Sequence, residues 1–392
     1  MLEGAGRPIG RAASRQAEAW RRAREGHDGV VLLLQGGGAL GSYQAGVYEA
    51  LAATPFLPDW VAGISIGAVN SAIIVGNPPE RRVERLREFW SRITSRVDWP
   101  WLPAGEAVRD LANQTAAWFA LASGQPGFYT PRGLIPHLVP PGCPAAISWY
   151  DTAPLRESLL ELVDFDLLNE GPVRISVGSV NVATGNTIYF DSRDRRIGPE
   201  HIMASGALPP GFPPVEIDGE LYWDGGLVSN TPLQYVLDAG VPPTTIAFQV
   251  DLFSSRGIVP RTLQEADERA KDIRFSSRTR LVTNVYQTMT RMRADIDTLL
   301  ARLPPEAKKD PEVQRIASAG AVPRLNLLHL IYRRMHYDRD YKDYEFSRNS
   351  MVDHWRAGMQ DAVRTLRQLD WLAPPTQLEP LKSHDVHFDA AG

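Results

Sequence analysis

The chain has 392 residues, 43% hydrophobic and 22% charged. That is close to the globular average, provides apolar material for a sizeable core, and excludes a disordered or collagen-like chain. A single cysteine, Cys143, excludes an intrachain disulfide and a cysteine-rich zinc site, and the net charge of -4 gives no basis for binding nucleic acid.

Residues 1–28 carry six arginines among small residues and no apolar stretch. No secretory signal is read there; the segment suits a short basic helix or a frayed tail, and the tail is the expectation. With the lone cysteine this points to a reducing compartment, the bacterial cytoplasm or its membrane face. The run Val30-Val31-Leu32-Leu33-Leu34 reads as a strand buried on both faces, and Gly36-Gly37-Gly38 ends it. Leu40, Tyr43, Val47 and Leu51 then recur at helical spacing. Residues 60–79 contain no charge and match a membrane span in length, but Gly63, Ser65, Gly67, Asn70 and Ser71 interrupt them. They read instead as a buried strand, a turn and a buried helix. Strand, helix, strand, helix implies an α/β layered fold with a parallel sheet.

Residues 80–97 predict an amphipathic helix with Val83, Leu86, Phe89, Trp90, Ile93 and Val97 on one face. The stretch 99–150 reads as irregular and rich in Pro and Trp. Its Trp99, Trp101, Trp118, Phe119, Phe128 and Tyr129 suit two readings. One is a lid or membrane-facing cap; the other is an insertion that buries its aromatics against the core. Hairpins are predicted at 174–182/186–191 and at 215–217/221–223, and a core strand at 244–250. From about 256 the character changes to charged helices (262–303), a strand near 325–332 and a helix near 350–369. Residues 29–255 carry 23 acidic against 13 basic side chains, whereas 256–350 carry 13 against 19. The expected division is therefore an N-terminal tail (1–28), a catalytic α/β domain (29–255) and a mainly helical extension (256–392), with packing of that extension onto the first sheet as the alternative to a separate domain.

Three motifs carry chemistry. Gly63-Ile64-Ser65-Ile66-Gly67 fits the G-x-S-x-G nucleophile elbow, a sharp strand-to-helix turn that exposes a serine oxygen. The start of the following helix places positive dipole near a developing anion. The loop of Gly36, Gly37 and Gly38 also lies between a strand and a helix, so its N–H groups point into the same crevice. It suits an oxyanion hole, with Ile66, the residue after the serine, as a further donor. Gly36, Gly38 and Gly41 also satisfy G-x-G-x-x-G, but a dinucleotide site needs an acid at the end of the second strand, where this chain has Ser65. Third, Asp224 follows a strand and opens a glycine turn, Asp224-Gly225-Gly226, with Asn230-Thr231-Pro232 beyond it.

Together these motifs, with Ala204-Ser205-Gly206-Ala207-Leu208-Pro209 and Phe212-Pro213-Pro214-Val215, resemble the patatin-like phospholipases over residues 29–250. The resemblance implies a three-layer α/β/α fold with a mostly parallel sheet, and lipid acyl hydrolysis by a Ser–Asp dyad. It makes Ser65 the nucleophile and Asp224 the base, with Gly37 and Gly38 in the oxyanion hole and no metal or organic cofactor. The family often has Arg or Lys where this chain has Leu40. A Ser–His–Asp triad would require a histidine after the acid, and His329, His336 and His354 are available only by position. The substrate is expected to be a lipid or other carboxylic ester, met through peripheral membrane contact. A carboxylesterase on short soluble esters and a catalytically idle, membrane-associated scaffold stand as alternatives.

Overall fold

The computed structural model describes residues 11–94, 106–133, 135–276, 279–318, 323–333, 341–376 and 379–387. In chain order, α1 (Arg11–Glu25) precedes β1 (Gly29–Leu34), α2 (Gly41–Ala52), β2 (Trp60–Ile64), α3 (Ile66–Val75), α4 (Arg82–Arg92) and α5 (Glu106–Ser123). The short β3 (Thr130–Pro131) and β4 (Tyr150–Asp151) pair with each other, and α6 (Ala153–Leu162) and α7 (Phe165–Glu170) follow. Next come β5 (Arg174–Asn181), β6 (Thr187–Asp191), α8 (Pro199–Ser205), β7 (Val215–Ile217), β8 (Glu220–Asp224), α9 (Leu233–Asp238) and β9 (Thr244–Asp251). The remainder is α10 (Leu263–Phe275), α11 (Thr279–Arg302), α12 (Pro311–Ser318), β10 (Arg324–Ile331), α13 (Arg348–Arg367), α14 (Leu369–Leu372) and β11 (Leu381–Asp385).

Among the described residues, nine strands form one sheet in the order β11-β10-β9-β1-β2-β5-β8-β7, with β6 also on β5. From β11 to β5 the pairs are parallel; β6, β7 and β8 add antiparallel partners. The uniformly apolar β1 has a direct cause: both its faces are covered. Val30, Leu32 and Leu34 join the cluster that includes α2, α3 and residues of α13, while Val31 and Leu33 join Leu233 and Val236 of α9, with Val282 and Tyr286 of α11 beside them. This is the α/β/α layering expected.

The change in charge near residue 256 falls in the loop after β9, and the chain beyond it returns to the same sheet as β10 and β11. Helix α13 lies directly on α2. A Cβ at Gly46 would collide with the Trp355 carbonyl, and one at Gly358 with that of Tyr43, so glycine lets the two backbones approach. The Tyr43 hydroxyl donates to Asp361 across this contact (3.0 Å).

Two expectations need correction. Within the supposed tail, residues 11–25 are helical: Trp20 Nε1 donates to the Leu366 carbonyl (2.7 Å), and His27 Nε2 to that of Leu372 (2.9 Å). Within the supposedly irregular 99–150, α5 spans 18 residues. It is free of Gly and Pro and rich in good helix formers, but prolines on both sides disguise it. Val97, Trp99 and Trp101 lie outside the described residues. Residues 60–79 divide into β2 and α3 as read, and no described helix is long and apolar enough to cross a membrane.

Candidate active site

Because β1 and β2 are parallel neighbours, their carboxyl ends deliver the glycine loop and Ser65 to the same edge of the sheet. Ser65 has φ 56° and ψ -125°, a conformation costly for any residue with a side chain. Both flanking glycines are sterically required. A Cβ on Gly63 would strike the backbone of Gly67, and one on Gly67 the carbonyl of Leu34. Ser65 N–H donates to Ser205 Oγ (3.0 Å), and the Ser205 hydroxyl donates to the Gly178 carbonyl (2.6 Å). Ser205 thus ties the turn to β5. Sequence reasoning gave it no role, since the contact spans 140 residues.

Asp224 ends β8, whose pairing with β5 sets Asp224 opposite Ser179. It is 2% exposed. Its Oδ1 accepts from Gly226 N–H (2.7 Å), and its carboxylate lies beside the Ser65 side chain. Burial pushes the carboxyl up to about 6, against the opposing pull of the Ser65 hydroxyl and the Gly226 N–H. Gly225 is needed here too, because a Cβ would sit 2.6 Å from the Gly178 carbonyl oxygen.

The three loop glycines differ. Gly36 does not fit the donor role expected of it: its N–H goes to the Asn230 carbonyl (3.3 Å), and a Cβ there would run into Asn230 Oδ1 and Ser65 Cβ. The N–H groups of Gly37, Gly38 and Ile66 have no protein partner among the described residues. Gly38 has φ 54°, which favours glycine. Gln35 anchors the loop from behind. Its Oε1 accepts from Leu252 and Phe253 N–H (2.6 and 3.0 Å), and its Nε2 donates to Thr231 Oγ1 and the Phe275 carbonyl (3.1 and 3.0 Å). Leu40 is fully buried in the core.

Ser65, Asp224 and the loop line a cavity of about 320 Å³. Its walls are mostly apolar: Val69, Leu121, Phe128, Tyr129, Tyr150 and Phe212 from the first 255 residues, with Phe275, Tyr344 and Phe346 from beyond. No histidine lines it among the described residues. His354 is buried against the Tyr332 ring (5.0 Å), His329 faces Ser383, and His336 lies outside the described residues. The aromatics of 99–150 divide between the two readings. Phe128 and Tyr129 are buried at the cavity, whereas Trp118 and Phe119 are 67% and 53% exposed.

A mostly parallel α/β sheet whose strand ends gather a glycine loop, a serine on a strained turn and a buried carboxylate beside an apolar cavity defines a class of hydrolase-like α/β proteins. A family model described as patatin-like phospholipase matches residues 32–237, more than half of the chain, and a second, described as patatin phospholipase, matches 273–378. The chain belongs to the patatin-like phospholipase family, and with that goes hydrolase activity on lipid esters. Among solved structures, the crystal structure of VipD from Legionella pneumophila is similar at 14% identity and a TM-score of 0.38, over 87% of this chain and 67% of that one. Comparison with curated proteins gave no match.

Proposed function

We propose that the chain is a serine lipid acyl hydrolase working through a Ser65–Asp224 dyad. The observation that carries this reading is the placement of Ser65 beside a buried Asp224, both lining one apolar cavity with the glycine loop. Ser65 Oγ attacks the ester carbonyl while its proton passes to the Asp224 carboxylate. The tetrahedral oxyanion is held by the N–H groups of Gly37, Gly38 and Ile66, at the start of α3. Asp224 returns the proton to the leaving alcohol, and an acyl-Ser65 remains. Water then attacks that ester and gives its proton to Asp224, and as the acyl–Oγ bond breaks Asp224 passes that proton to Ser65 Oγ and the fatty acid leaves. Every step uses groups of this chain. The part 29–255 is proposed as the bearer of the motifs, with 256–392 as an extension that completes the cavity wall.

Turnover of a phospholipid, a triacylglycerol and a short nitrophenyl ester tests the substrate class. The apolar walls predict a higher kcat/KM for the long-chain esters, and a clear preference for the short soluble ester would favour the carboxylesterase reading. The base must be ionised in the free enzyme. With the Asp224 carboxyl at about 6, kcat/KM is predicted to be flat above that pH and to fall about tenfold per unit below it. A profile that stays flat down to pH 4.5 would contradict a carboxyl raised by burial as the base.

Peripheral membrane contact is proposed at Trp118 and Phe119, exposed on the helix whose Leu121 lines the cavity. Trp118→Ala should weaken binding to phospholipid vesicles by about tenfold. Turnover of a soluble ester should be unchanged.

A further inference from the structure

We infer that residues 341–346 act as a strap that positions the glycine loop, with Lys271 and Asp343 as positioning residues; this rests on the reading of Gly37 and Gly38 as oxyanion donors. The main-chain carbonyl of Asp343 accepts the N–H of Ala39 (2.7 Å), the residue directly after the loop. The contact is close enough that a Cβ on Gly38 would collide with that carbonyl. The Asp343 carboxylate pairs with Lys271 Nζ of α10 (2.5 Å), whose charge also faces the Tyr344 ring (5.1 Å). One residue earlier the polarity is reversed: Lys342 pairs with Asp272 (2.6 Å) and, at 3.7 Å, with Glu268. Two adjacent residues of α10 therefore grip two adjacent strap residues with opposite charges. A slip of one residue would set like charges together, so the clasp fixes register. Lys342 and Glu268 are nearly inaccessible, which leaves little solvent to screen the pairing.

The C-terminal residue of α10, one turn beyond the clasp, is tied to the same loop. The Phe275 carbonyl accepts from Gln35 Nε2 and Asn230 Nδ2 (3.0 Å each), and Asn230 Nδ2 also reaches the Gly36 carbonyl (3.0 Å). The extension thus holds the loop on both sides of Gly37 and Gly38. Oxyanion donors must be aimed before the reaction, since they act on charge present only in the transition state. Loosening the strap should therefore lower kcat and leave ground-state binding nearly unchanged.

The test uses the full chain with Lys271→Met, which keeps the apolar stem over Tyr344, and with Asp343→Asn, which keeps the shape and removes the charge. Each is expected to lower kcat by about 10-fold with KM within about twofold. The double variant should lose little more than either single one, because the pair acts as a unit. Affinity for a trifluoromethyl ketone, which adds to the serine and forms the oxyanion, should fall in parallel with kcat/KM. Binding of a free fatty acid should not change, and Lys271→Arg should restore most of the activity. Unchanged kcat and ketone affinity in a folded Lys271→Met or Asp343→Asn would overturn the proposal. So would a loss that tracks only the folded fraction or fatty-acid binding. Failure of the dyad reading is distinguishable, because the unsubstituted protein would then show no Ser65-dependent turnover and no ketone inhibition.

Discussion

Asp224→Asn is expected to lower kcat on a lipid ester by about 10²- to 10⁴-fold and, above pH 6, to leave the protein more stable than the native chain. The catalytic half follows from the proposed mechanism: an amide of the same shape cannot take the Ser65 proton. The stability half follows from linkage. The carboxyl stands at 3.8 when unperturbed and at about 6 in the folded protein, so folding disfavours its ionised form. Below the lower value it is protonated in both states and costs nothing. Between the two values the cost grows, and above pH 6 it is constant at about 3 kcal/mol. Asparagine has no charge to bury and can still accept from Gly226. Unfolding by urea at pH 4 and pH 8, together with kcat, checks both halves. The variant should gain on the native protein at pH 8 and lose that gain at pH 4. A variant that keeps its activity would end the dyad reading.

Ser65→Ala is expected to remove about 10⁴- to 10⁶-fold of kcat, the scale set by deleting a nucleophile that acts with its base as a unit. Alanine keeps a Cβ and so keeps the strain of φ 56°. Ser65→Gly should be equally inactive but more stable than Ser65→Ala by about 1 kcal/mol, since glycine adopts this region without the penalty. Thermal unfolding of the two variants measures the difference. Equal stability would mean that the turn is relaxed and that the serine is not held in a strained pose.

Much of this site was legible in the sequence because its elements are local. The buried run of β1, the helical spacing in α2 and α4, the two hairpins and the elbow glycines each declare themselves within a few residues. Their order in the chain put the loop, the serine and the aspartate at strand ends. What was hidden depends on contacts far apart in sequence. Gln35, Ser205 and Asp343 hold the site through partners roughly 140 to 300 residues away, and although Ser205 lies in a motif, no local pattern shows what any of them holds. The three consecutive glycines looked equivalent, and only the arrival of Asn230 commits the first to a different job. Helix α1 was read as the lesser alternative because its anchors, Trp20 and Arg24, meet partners far along the chain, and β11 was missed because a short edge strand, Leu381–Asp385, lacks the apolar run that marked β1. The charge step near residue 256 looked like a seam, yet the chain beyond it extends the sheet and walls the cavity.

The central claim is that Ser65 is a nucleophile activated by Asp224, and reaction with a fluorophosphonate followed by peptide mapping tests it most directly. One adduct is expected, on Ser65, formed slowly in Asp224→Asn and slowed in the native protein as the pH drops below 6. An unlabelled protein, or an adduct on another serine with Ser65→Ala still turning over lipid ester, would contradict it.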